Sequence, residues 1–195
     1  MMMKQIAVFC GSSMGSDPTY GKAAVALGKA LARREIGLIY GGGNIGLMGK
    51  LATAVLEAKG HVTGVIPKFL MEKEIGKIEL PDLRIVESMH ERKALMTELA
   101  EGFIALPGGF GTLEEFCEIL TWGQLGLHDK PFGMLNVRGF YDHFLAFLDH
   151  AVARQFIKSR HRNLVLTADE PGDLLEMMEQ WKPEKRPKYI TPERT

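Results

Sequence analysis

The chain is short of cysteine, of net charge and of long apolar runs, and each shortage removes a class of protein. Cys10 and Cys117 are the only cysteines in 195 residues, one in the first apolar run and one inside a helical pattern. That pattern fits two reduced, buried thiols and argues against a disulfide framework. Neither has a histidine near it in sequence, which argues against a thiol nucleophile. Lys and Arg number 24 and Asp and Glu number 24, so no global field draws the chain to nucleic acid or an anionic membrane. Nowhere do about 18 apolar residues follow one another, as a membrane span requires. The start, MMMKQIAVFCGSS, carries one positive charge and an apolar stretch of strand length. A small-molecule partner, no nucleic acid, no membrane and a cytoplasmic location are the expectation. His61, His90, His128, His143, His150 and His161 are scattered, with no H-E-x-x-H and no C-x-x-C, so no metal is expected. No G-x-S-x-G occurs, and no lysine has a context that marks it for a Schiff base.

What is present is a rhythm. QIAVFCGSS reads as a strand running into a small-residue turn, and PTYGKAAVALGKALARR follows with apolar residues at helical spacing. GLIYGGG, IGLMGKLATAVLEAKG and HVTGVIP repeat the pattern, the helix closed by Gly60 and the strand stopped by Pro67. After a mixed stretch at 68–82 come LRIVES with MHERKALMTELAEG, FIALPGG with TLEEFCEILTWGQLG, PFGMLNV with FYDHFLAFLDHAVARQFI, and NLVLTAD with PGDLLEMMEQW. Strands alternating with helices imply an α/β fold, a Rossmann-like three-layer sandwich whose mostly parallel sheet is covered on both faces. The length and a hydrophobic content of 46% suit one domain, residues 1–182, followed by a proline-rich, charged tail at 183–195 that is mobile or laid over the surface.

In such sheets ligands bind at the carboxyl ends of the strands. Three strand ends carry small-residue turns, CGSS at 10–13, GGGNIG at 41–46 and PGGFGT at 107–112, so they should converge on one crevice. Glycine lets backbone amides approach a ligand, and a helix N-terminus carries roughly half a positive charge, which suits phosphate. GGGNIG satisfies G-x-G-x-x-G, but the next strand ends in Ile66, Pro67 and Lys68 with no acid for a ribose, and the motif follows the second strand rather than the first. Gly49 and Lys50 do not complete a P-loop, because Leu51 follows them and position 44 is Asn44. A mononucleotide or sugar phosphate therefore fits better than a dinucleotide or magnesium ATP. Two readings of Glu115 stay open: a carboxylate beside the substrate, or one half of a capping box with Thr112. ESMHERK places His90, Arg92 and Lys93 near a helix start, where the dipole disfavours cations; they point either to an anionic partner or to pairing with Glu91 or a neighbouring carboxylate.

PGGFGTLEE contains P-G-G-x-G-T-x-x-E. With CGSS, YGGGNIGLMG, ESMHERK and TWGQLGLHDKPFGMLNV it closely resembles the LOG ("lonely guy") family of nucleoside monophosphate phosphoribohydrolases, from about residue 5 to about residue 182. Members have often carried the label "lysine decarboxylase", but nothing in the chain nominates decarboxylation. The resemblance implies a Rossmann-like homodimer, without cofactor, that hydrolyses the N-glycosidic bond of cytokinin riboside 5′-monophosphates or AMP to free base and ribose 5-phosphate. It implies Glu115 and Arg92 as the catalytic pair. It implies Gly108, Gly109, Gly111, Thr112, Lys93, Gly42, Gly43, Met89 and Ser12 around the phosphate and ribose, and Glu74 of MEKEIGK near the ligand. A non-catalytic nucleotide or cofactor carrier of the same fold is the alternative. No residue decides between adenine and an N6-prenylated base.

Overall fold

The computed structural model of the chain describes residues 3–74 and 80–183. Seven strands alternate with helices: β1 Gln5–Phe9, α1 Pro18–Arg33, β2 Gly37–Tyr40, α2 Gly46–Glu57, β3 Val62–Pro67, α3 Lys68–Glu74, β4 Asp82–Val86, α4 Met89–Leu99, β5 Gly102–Ala105 and α5 Phe110–Leu125. There follow β6 Phe132–Leu135, a 3₁₀ turn at Val137–Gly139, α6 Asp142–Ala153, a single helical turn α7 at Ser159–Arg162, β7 Val165–Ala168 and α8 Pro171–Gln180. The mixed stretch at 68–82 thus holds α3, and the expected tail falls, past Pro183, outside the described residues. No helix among the described residues is long and apolar enough to cross a membrane.

The strand order is β4-β3-β2-β1-β5-β6-β7, and all six pairings are parallel. The chain winds outward from β1 to β4, crosses back, and winds the other way from β5. The order therefore reverses between β1 and β5, which is where a doubly wound sheet opens its ligand crevice. Alternation along the strands explains the layers. Ile6 and Val8 of β1, Leu38 and Tyr40 of β2 and Ile104 of β5 pack with Leu27 and Leu31 of α1, Leu51 and Val55 of α2, and Leu174 of α8. Their neighbours Ala7, Phe9, Ile39 and Phe103 face the other way, onto Met96 of α4, Phe116 and Ile119 of α5, and Leu148 of α6. Each such fully buried aliphatic or aromatic side chain contributes about 1.5–3 kcal/mol of transfer free energy.

Local chemistry sets the helix ends. The Asp17 carboxylate accepts from the Thr19 N–H at 2.8 Å, with Pro18 in the first turn of α1. The end of α2 differs from expectation. The left-handed residue there is Lys59 (φ 60°), not Gly60, which is needed because a Cβ at 60 would fall 2.7 Å from Val55 Cγ1 and 2.9 Å from Ala32 Cβ.

Candidate active site

Backbone ties the switch point together. The Leu106 N–H donates to the Phe9 carbonyl at 2.9 Å, the Gly11 N–H to the Pro107 carbonyl at 3.0 Å, and the Leu47 N–H to the Gly11 carbonyl at 3.1 Å. From behind, the Tyr141 hydroxyl donates to the Leu106 carbonyl at 2.6 Å. All three glycine-rich turns therefore meet. Above them opens a crevice of about 320 Å³, lined by Gly11, Ser12, Gly109, Gly111 and Thr112 and by the less polar Cys10, Met48, Leu70 and Met89. Arg92, Glu115 and Phe110 complete its lining. A hollow of about 390 Å³ beside α1 is slightly larger, but its charged lining residues Lys22, Arg138, Asp169 and Glu170 stand exposed in solvent and bring together no buried ionisable pair.

α5 begins at Phe110 with Gly109 as its N-cap, and no side chain caps it. This removes the capping-box reading of Thr112 and Glu115. Both lie inside the helix, beyond the cap, where the first-turn amides have no intrahelical acceptors. A 16-residue helix thus presents an uncapped, electropositive N-terminus to the crevice, and Glu115 hangs one turn further in, 9% exposed. The S-x-x-E pattern works instead at α4: Ser88 Oγ accepts from the Glu91 N–H at 3.1 Å, and the Glu91 carboxylate accepts from the Glu87 N–H at 2.8 Å.

Glu91 is engaged in that cap, and the two cations that follow it face inward. Arg92 and Lys93 are 7% and 5% exposed. Arg92 Nη2 stands 3.7 Å from Glu115 Oε1, Nη1 lies 3.7 Å from the Met89 sulfur, and the buried Nε has no hydrogen-bond partner among the described residues. Lys93 Nζ takes a different route, reaching Glu114 at 2.6 Å and Glu118 at 2.8 Å. Burial alone would push the Lys93 pKa down; hydrogen bonds to Glu114 and Glu118 outweigh it and hold the pKa above the usual lysine value. Burial, and then the charge of Glu115, push the Cys10 thiol far up, so it stays neutral.

The crevice thus gathers Glu115, Arg92, Ser12, Met89, Gly109, Gly111 and Thr112 from among the expected site residues. Lys93 is held on α5 by its two carboxylates. Gly42 and Gly43 are buried in the turn after β2 and do not line the crevice, and Gly108, in the turn after β5, lines a neighbouring cleft of about 270 Å³ that shares Gly11, Ser12 and Gly109 with it. Glu74 ends α3, but its side chain lies outside the described ones. Cys10, Met48, Leu70 and Phe110 line the crevice without having been singled out. Cys10, Phe110 and Met48 sit within CGSS, PGGFGT and YGGGNIGLMG; Leu70 had no signal, being an apolar residue in the mixed stretch at 68–82. No group of three His, Cys, Asp or Glu that could hold a metal occurs among the described residues.

A doubly wound parallel sheet with a helix N-terminus and a buried arginine–carboxylate pair lining a crevice at its switch point defines a Rossmann-like α/β protein. Comparison with known proteins narrows this. The profile of the family described as "Possible lysine decarboxylase" matches residues 48–178. The chain is 50% identical over 181 residues to the cytokinin riboside 5′-monophosphate phosphoribohydrolase LOG of Oryza sativa subsp. japonica, covering 93% of this chain and 75% of that one. It is 49% identical over 181 residues to a cytokinin riboside 5′-monophosphate phosphoribohydrolase of Arabidopsis thaliana, covering 93% and 83%. The chain belongs to the LOG family. Among solved structures, the molybdenum cofactor binding protein of Rippkaea orientalis shares the fold, with a TM-score of 0.68, 22% identity and coverage of 92% of this chain and 97% of that one.

Proposed function

We propose that this chain is an N-glycosyl hydrolase that cleaves cytokinin riboside 5′-monophosphates, and AMP, to free base and ribose 5-phosphate. The observation that carries the reading is the pairing of Arg92 with Glu115, both buried, 3.7 Å apart, beside the uncapped start of α5. Breaking a C–N glycosidic bond builds positive charge on the ribose, as in an oxocarbenium-like transition state. A fixed carboxylate stabilises that charge or orients the attacking water, and Glu115 has that place. Arg92 sets its positive charge beside the Glu115 carboxylate and, lining the crevice, offers its guanidinium to the substrate. The amides at 110–112, with the Ser12 and Thr112 hydroxyls, receive the 5′-phosphate and so fix the reacting carbon. Met48, Leu70 and Met89 form an apolar wall suited to a base and its N6 substituent. Lys93 is assigned to holding α4 against α5, and Gly42, Gly43 and Gly108 to shaping the turns. No metal or cofactor is invoked. A single domain over 1–182, a homodimer and a cytoplasmic location complete the proposal; the exposed Phe147 and Phe156, 63% and 88% accessible, favour a partner surface.

The test is hydrolysis of AMP and of isopentenyladenosine 5′-monophosphate by the wild type and by Glu115→Gln, following base and ribose 5-phosphate. Gln is nearly isosteric and should leave the fold intact. The expected outcome is base release by the wild type and a loss on the order of a hundredfold or more in the variant. Binding of both monophosphates without cleavage would favour a carrier instead.

A further inference from the structure

We propose that Gly41, in the turn after β2, is a positioning residue: its missing side chain is the seat that holds the Arg92 guanidinium against Glu115. The inference rests on the assignment of Arg92 and Glu115 to hydrolysis. A Cβ on Gly41 would lie 1.8 Å from Arg92 Nη2 and 2.9 Å from Cζ. Non-bonded carbon contacts begin near about 3.5 Å, so the guanidinium occupies the space that any other residue at 41 would fill. The same Nη2 faces Glu115 Oε1 at 3.7 Å, so whatever displaces it alters the pair directly.

Backbone conformation is not the reason for glycine at 41. The positive φ angles in this turn belong to Gly42 (74°) and Gly46 (61°). Alanine at 41 therefore keeps the backbone and takes away only the space. A displaced guanidinium must move into the crevice that Arg92 lines or past Met89, which stands 3.7 Å from Nη1, and either shift alters its approach to Glu115. The match of GGGNIG to a dinucleotide fingerprint thereby gains another cause. Gly41 yields to Arg92, and Gly46 yields to the Ser12 backbone, where a Cβ would come within 2.3 Å of the carbonyl carbon. Both close approaches are internal to the protein. A misplacement of about 1 Å at a reacting group costs about a hundredfold in rate.

The experiment compares Gly41→Ala, Arg92→Ala and the double variant in base release from isopentenyladenosine 5′-monophosphate. Thermal unfolding and the ¹H–¹⁵N resonance of Arg92 Nε, identified by its loss in Arg92→Ala, are measured alongside. Gly41→Ala is expected to lower kcat/KM on the order of a hundredfold and to move the Nε resonance. The double variant is expected to be no slower and no less stable than Arg92→Ala alone, because removal of the guanidinium frees the seat. Wild-type activity in Gly41→Ala, losses that multiply in the double variant, or an unmoved Nε resonance would each overturn the proposal. Should Gly41→Ala fail to fold, recovery of the fold in the double variant supports the seat and its absence overturns it. If the wild type releases no base, the hydrolase reading falls by itself, and the resonance still decides the seat.

Discussion

Replacing Lys93 by Met separates two roles that a buried lysine beside an active site could have. The ammonium sits between Glu114 at 2.6 Å and Glu118 at 2.8 Å, with its own side chain 7% exposed. Breaking a fully buried ion pair by removing one partner costs about 3–5 kcal/mol. Here the carboxylates left behind are 56% and 26% exposed, so Glu114 rehydrates freely and Glu118 in part. Met keeps most of the apolar stem in place, and repulsion between the two glutamates, four apart on α5, adds about 0.3–0.5 kcal/mol. The sum is about 2 kcal/mol, or about 4–8 °C in Tm for a domain of this size. The loss should be constant across neutral pH. Lys93 has a raised pKa in the folded state, so its contribution is complete below the lysine range and fades only as pH rises through the folded value. Differential scanning calorimetry reads the Tm, and calorimetric titration with ribose 5-phosphate reads the anion site. The expected result is a lowered Tm with ribose 5-phosphate affinity within about threefold of wild type, and partial recovery of Tm when Glu114→Gln and Glu118→Gln are added. An unchanged Tm with affinity lost tenfold or more would refute the reasoning and make Lys93 a phosphate ligand.

Two further outcomes follow from the chemistry of single groups. Cys10→Ala should keep kcat/KM within about threefold, because burial and then the Glu115 charge hold the thiol neutral; a hundredfold loss in base release would mean that the sulfur takes part. Asp82 is held below the usual carboxylate range by its hydrogen bond from Arg84 at 2.6 Å and a second from Thr63 at 3.0 Å, against the opposing effect of burial. A lowered folded pKa stabilises above the unfolded value, near about 3.9, and the contribution fades as pH falls through the folded one. Urea unfolding should therefore show the wild type ahead of Asp82→Asn at pH 6 with the gap narrowing at pH 3, and an equal gap at both would contradict the pairing.

The sheet was legible because its signals are local. A switch from apolar runs of strand length to helical spacing recurs along the chain, and each small-residue turn marks a strand end. The crevice followed, since CGSS and PGGFGT close β1 and β5, the two strands at which the order reverses. What escaped depends on direction or on distant atoms. Arg92 and Lys93 are neighbours in sequence but point about 100° apart on a helix, so one meets Glu115 and the other Glu114 and Glu118. T-x-x-E at 112–115 and S-x-x-E at 88–91 look alike on paper; only the true helix starts, Phe110 and Met89, make the second a cap and the first not. Gly41 was overlooked beside Gly42 and Gly43 because its need for glycine comes from an arginine on another helix.

The cross-tied turns have a consequence for how such a protein changes over time. The hydrogen bonds joining Phe9, Gly11, Leu47, Leu106 and Pro107 use main-chain atoms alone, which every residue type except proline, at the three donor positions, supplies. The apolar part of the crevice lining comes from Met48, Leu70 and Met89, side chains carried by three separate helices. Substitutions at the half-buried Leu70 and Met89 leave that web of amides untouched, so selection can reshape the cleft there without reopening the problem of folding, whereas Met48 also packs into the core. Positions 70 and 89 are accordingly where a randomised library should be aimed to shift the base accepted, with the floor kept as inherited.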